Sequence, residues 1–120
     1  MTAEIGRAAA GVAAGELAMG RLESARVMAE GLVLANPHDA AGWIMLALID
    51  RRRGRNLAAR LFAETAHRLA PADEQVRLVR ADVLLCFADR RAVAVAELRA
   101  LVPVEGVGAR ARALLSALGE

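Results

Sequence analysis

The stretch that decides the fold runs from Trp43 to Pro71 and reads WIMLALIDRRRGRNLAARLFAETAHRLAP. It reads as two helices folded back on each other. Gly54 marks the reversal, where a helix commonly ends on a residue of positive φ that glycine adopts without steric cost. Ala59 and Ala63 lie one turn apart on one helical face, and small side chains there let two helices approach closely. Pro71 ends the second helix, because proline cannot continue one and disfavours helical geometry at the residue before it.

The same pattern recurs on either side. A shift of 34 residues carries Gly20 onto Gly54, Ala25 onto Ala59, Ala29 onto Ala63, Pro37 onto Pro71 and Asp39 onto Asp73. Ala13 falls on Ala47 and then on Ala81, and Gly54 falls on Ala88. Self-similarity at such a period is the mark of a repeat architecture, and Asp39 and Asp73 are placed to cap the helices that follow them. Expected helices span 4–18, 22–35, 40–53, 57–70, 73–87 and 90–101. Pro103, Gly106 and Gly108 then break the chain. A last helix near 109–118 carries Ala113, Leu114, Leu115 and Leu118 as the apolar face of a cap on the stack.

Composition agrees with helices. The 120 residues suit one domain, and 57% of them are hydrophobic, with alanine the commonest residue. Trp43, Phe62 and Phe87 are the only aromatics, against the aromatic and β-branched content that strands favour. The apolar run from Trp43 to Ile49 is far short of the roughly 20 residues of a membrane span. Glu4 and Arg7 interrupt the alanine-rich opening, which lacks the apolar core of a signal peptide. Cys86 stands alone, which excludes an internal disulfide and a cysteine-based zinc site and fits a reducing cytoplasm. All 16 basic residues are arginine, and the net charge is only +2.

These repeats resemble those of the tetratricopeptide-repeat (TPR) family, built from 34-residue helix–turn–helix units. The second unit carries the resemblance best, through Trp43, Leu46, Ala47, Gly54, Ala59, Ala63, Ala66 and Pro71. The first matches through Ala13, Gly20, Ala25, Ala29, Leu32 and Pro37, with Ala9 at the place of Trp43. The third departs most: Arg77 and Arg80 stand opposite Trp43 and Leu46, Ala88 replaces the glycine and Val93 an alanine. The resemblance implies an all-α fold of three TPR-like antiparallel helix pairs, at about 6–39, 40–73 and 74–105. With the capping helix at about 108–118 they form a single domain over 1–120, a short right-handed solenoid.

Catalysis finds little material. His38 and His67 have no third or fourth ligand near them for zinc. Cys86 lies among Leu84, Leu85 and Phe87, without the base or electropositive setting a nucleophile needs, and reads as a buried or groove-lining thiol. Ser24 and Ser116 are isolated. Gly6, Gly11, Gly15 and Gly20 follow no strand, so a dinucleotide-binding reading fails on context. The sequence therefore reads as a non-enzyme with no cofactor and no metal. Gly6, Gly11 and Gly15 each cost about 1 kcal/mol against alanine within a helix. The first helix is accordingly expected to be the most labile element, ordered mainly by a partner.

Two features bear on binding. The run Arg51-Arg52-Arg53-Gly54-Arg55 could pair with phosphate, or simply complement a helix C-terminus in solvent. No aromatic platform accompanies it for stacking bases, which argues against nucleic acid. The second feature rests on the resemblance, in which the first helix of each unit lines a concave groove. It places Ala10, Ala14 and Leu17 there from the first unit, Ile44, Leu48 and Arg51 from the second, and Leu78, Asp82 and Leu85 from the third. Arg51, Arg52 and Asp82 would stand at the rim. With no lysine, and with Asn56 outside this set, the family's carboxylate-clamp mode does not fit. These residues either pack against neighbouring helices or form an exposed apolar groove of the kind that marks a binding site.

The expected function is protein–protein interaction, an apolar helix or extended segment of another protein being held in the groove. Short free-standing bacterial chains of about three such units resemble the cytoplasmic chaperones of type III secretion systems, which implies a secretion substrate or needle-assembly component as partner. On this reading Leu48→Glu with Leu78→Glu abolishes capture and leaves helical content nearly intact. The competing readings are an accessory protein for nucleic acid or anionic surfaces using Arg51–Arg55, and a self-associating scaffold, a homo-oligomer rather than a heterodimer.

Overall fold

A computed structural model of the protein describes residues 15–120. All regular structure among them is helical. Residues 15–18 are helical and precede α1 (Leu22–Ala35), α2 (Ala40–Arg52), α3 (Asn56–Leu69), α4 (Glu74–Leu84), α5 (Arg91–Leu101) and α6 (Gly108–Ala117). Ala10, Ala14 and most of the first expected helix, with the expectation of its lability, lie outside the described residues. No helix among the described residues is long and apolar enough to cross a membrane.

The turns explain why the helices stop where they do. Gly20 and Gly54 have φ of +77° and +75°, and both close the same motif. Gly20 N–H donates to Leu17 O and Arg21 N–H to Glu16 O; Gly54 N–H donates to Arg51 O and Arg55 N–H to Asp50 O. These paired bonds satisfy carbonyls that a helix end otherwise leaves open. The aspartate caps form too. Asp39 Oδ1 accepts from Ala41 N–H at 2.9 Å and Asp73 Oδ1 from Val76 N–H at 3.1 Å.

The third reversal differs, for a covalent reason. Ala88 occupies the place of Gly54, and no residue other than glycine takes positive φ in the described chain. So α4 ends at Leu84, short of the expected residue 87. Cys86 N–H donates to Val83 O and Phe87 N–H to Leu84 O, and a 3₁₀ turn at Ala88–Arg90 leads into α5. This detour costs one residue of register. Ala94 and Leu98 are fully buried while Val93 is 42% exposed, so the small packing residue of this unit is Ala94.

From α1 to α4, consecutive helices run antiparallel. Gly42 on α2 meets Leu32 and Val33 of α1, whereas Asp50, two turns on, meets Arg26, earlier in α1. Trp43 stacks tilted on Phe62 of α3 with ring centroids 6.0 Å apart, and Ala47, Ala59 and Ala63 are buried together. Further along, Ala66 packs with Val76 of α4, and Arg80 pairs with Glu64 at 2.8 Å. Arg77 on α4 pairs with Glu97 on α5. The arginines that stand in place of apolar residues on α4 thus tie it to α3 and α5 through carboxylates. Leu98, Leu101, Val107, Ala111 and Leu115 close the C-terminal core. Leu114 and Leu118 pack partly against it, while Ala113, expected on the same face, is exposed.

The contact of α1 with α2 is set by Gly42. A Cβ there would lie 2.8 Å from Val33 Cγ2 and 3.1 Å from both Leu32 Cβ and Val33 N. Gly31, inside α1, has nothing within 4 Å of such a Cβ. Gly42→Ala is therefore expected to cost about 1–3 kcal/mol through forced separation of the helices. Gly31→Ala should gain about 0.5–1 kcal/mol through helix propensity. Thermal melts of the two variants, moving in opposite directions, check the close approach.

Candidate functional site

Besides packing on their chain neighbours, α2 and α4 lie alongside each other, with Ile44 near Val76 at one end and Arg51 near Asp82 at the other. Between them, and walled on a third side by α6, is a cavity of about 480 Å³. From α2 it is lined by Leu48, Arg51 and Arg52, from α4 by Gln75, Leu78, Val79 and Asp82, and from α6 by Arg110 and Leu114. Arg52, Gln75 and Arg110 are exposed and open it to solvent, while Leu78, Val79 and Asp82 form a buried floor.

Its electrostatics are lopsided. Asp82 is the only acid in the lining, and its carboxylate is 3.6 Å from the Arg51 guanidinium. Arg51 Nε is buried and has no hydrogen-bond partner among the described residues. A buried donor without an acceptor is uncommon in a folded protein. Arg52 donates to the carbonyl of Leu17 and Arg110 makes no ion pair, so neither charge is met by an acid among the described residues. Three arginines against one aspartate leave the groove net positive.

The sequence-derived set divides on this geometry. Leu48, Arg51, Arg52, Leu78 and Asp82 converge on the cavity. Leu17 is 5% exposed and packs with Ala25, Ala29, Leu46 and Ile49 instead. Ile44 lines a second cavity of about 590 Å³ among the turns, where Asp39 and Asp73 are already engaged as caps. Leu85 follows the shortened α4 and packs toward α5 and α6, outside the groove. Gln75, Val79, Arg110 and Leu114 were not in that set. Arg110 and Leu114 stand 35 residues beyond Gln75 and Val79, the repeat of 34 with the one residue added at Ala88, so the face of α4 that lines the groove recurs on α6.

The arginine run is taken apart by the fold. Arg51 faces Asp82, Arg52 holds the end of the preceding helical segment and Arg53 pairs with Glu23 on α1. Only Arg55 of the run makes neither an ion pair nor a side-chain hydrogen bond among the described residues. Cys86 is half-buried in the turn after α4, neither enclosed in the core nor in the groove lining. His38 is exposed in the turn before α2, and His67 is half-buried on α3. Among the described residues no three His, Cys, Asp or Glu side chains gather as metal ligands would.

No protein-family model matches the chain, and no curated protein matches it in sequence.

Proposed function

We propose that the protein is a non-enzymatic binding module or chaperone of tetratricopeptide type, holding an apolar segment of a partner protein in the groove between α2, α4 and α6. The observation that carries this reading is the convergence of Leu48, Leu78, Val79 and Leu114 on one solvent-open cavity with arginines at its rim. On this reading the chain is three helix pairs in a short right-handed solenoid and α6 is the cap, doubling as a groove wall. The lining offers arginines, a glutamine and a paired aspartate, with no nucleophile set beside a base.

Capture acts by mass action: occupying the partner's apolar segment lowers its free concentration and suppresses its self-association. Type III secretion chaperones, cytoplasmic proteins that keep an export substrate or needle component soluble, are the specific form of this function we propose. The test is co-expression with the proteins encoded beside this one. A neighbour that co-purifies with the wild type and is lost with Leu48→Glu supports the groove. Co-purification untouched by that change contradicts it.

Arg51 and Arg52 line the groove while Arg53 pairs with Glu23 on α1, so the run does not present one basic face, which weighs against duplex binding through the run as a whole. Duplex DNA binding through four free arginines would weaken about 100-fold or more between roughly 50 and 200 mM salt. We expect no such steep loss for partner capture, and Arg53→Ala with Arg55→Ala should leave capture unchanged in a pull-down across that range.

A further inference from the structure

The groove is apolar at its floor and positive at its rim, and this combination narrows what it fits. Leu48, Leu78, Val79 and Leu114 ask for aliphatic side chains. Arg52 and Arg110 present charge that no acid of the described chain meets. Arg51 Nε is a buried donor without an acceptor among the described residues, and the one carboxylate in the lining, Asp82, lies 3.6 Å from Nη2 of the same guanidinium. An apolar partner without acids would bury these cations uncompensated, which is costly. A basic one would be repelled.

We infer that the occupant is an acidic, leucine-bearing segment of another protein, its aliphatic side chains on the groove floor and its Asp or Glu side chains against Arg51, Arg52 and Arg110. The inference rests on the groove reading and adds the partner's chemistry to it. Carboxylates at the rim would speed encounter and exclude basic segments more than they deepen affinity. Arg55, outside the groove, takes no part.

The experiment is selection of a random dodecapeptide library against the intact protein, counter-selected on Leu48→Glu. Peptides that need Leu48 should be enriched in Asp and Glu interleaved with Leu, Ile or Phe. Replacing their acids with the amides should weaken binding about tenfold, mostly in the association rate. Arg110→Glu should weaken them comparably and recover binding when the matching acid becomes lysine. Arg55→Gln should change nothing. Selected peptides that need Leu48 but carry no excess of acid overturn the acidic partner and leave the groove standing. If no peptide depends on Leu48, both fall. A homodimer in sedimentation that Leu48→Glu dissolves would replace the foreign segment with a second copy and overturn the inference.

Discussion

Replacing Asp50 with alanine is expected to lower the unfolding free energy by about 3 kcal/mol, the lower end of the range for breaking a buried ion pair. Asp50 is 1% exposed and its carboxylate accepts from Arg26 at 2.9 Å, joining α1 to α2. Removing it strands a guanidinium whose side chain is 24% exposed. The cost stays at the lower end because Arg26 also reaches Glu30, one turn along the same helix. At about 4 °C per kcal/mol for a domain of this size, the melting temperature should fall by about 12 °C. Asp50→Asn, which keeps an acceptor for Arg26, should lose about half as much. Glu23→Ala breaks the pair with Arg53, whose carboxylate side is 79% exposed, and should stay within about 0.5 kcal/mol. Equal melting temperatures for Asp50→Ala and Glu23→Ala would show that the α1–α2 contact does not rest on this pair.

An effect of similar size is expected on binding. Leu48→Glu combined with Leu114→Glu should lower affinity for the co-purifying partner at least about 100-fold, equivalent to roughly 3 kcal/mol. Both side chains are half-buried and face the cavity. A carboxylate at either place removes aliphatic contact and occupies the arginines from within. Both retain exposure, so the fold should lose little and far-UV dichroism should stay near the wild type. The pair Leu48 and Leu78 suggested by the repeat alone is a poorer choice. Leu78 is 7% exposed and packed with Ala81, Val95 and Leu98, and a glutamate there would bury a charge. Loss of capture in that variant would report unfolding. Leu57→Glu with Leu61→Glu, on the exposed side of α3, should bind as the wild type does.

Local roles are written in the chain itself, and contacts between distant helices are not. Gly20, Gly54, Asp39 and Asp73 act through bonds to residues within five positions, so their roles are readable from the chain itself. The alanines Ala25, Ala29, Ala59 and Ala63 are readable because a helical face has a fixed period. Ala88 shows the opposite case. Its lack of a free positive φ shortens α4, inserts the 3₁₀ turn and shifts the buried residues to Ala94 and Leu98. Leu85 leaves the groove through that same change. The partners of Arg51, Arg53, Arg77 and Arg80 lie 16 to 31 residues away, on neighbouring helices, and no local pattern names them. Repeat position puts Leu17 at the groove surface, whereas the fold makes it a core contact.

The groove itself was half legible. Two helices of it came from the repeat, and the third wall, from Arg110 and Leu114, required treating α6 as a further lining helix rather than only a cap. Gly108 fixes that wall. A Cβ at this position would fall 2.1 Å from Val102 O, so only glycine allows α6 to start where it does.

Whether the partner lies in the groove is read by site-specific photo-crosslinking in cells that make the co-purifying partner, with a benzophenone side chain placed at position 48 in one variant and at position 61 in another. A crosslinked adduct is expected from position 48, in the groove, and none from position 61, on the outer side of α3. An adduct from position 61 with none from position 48 would contradict binding in the groove.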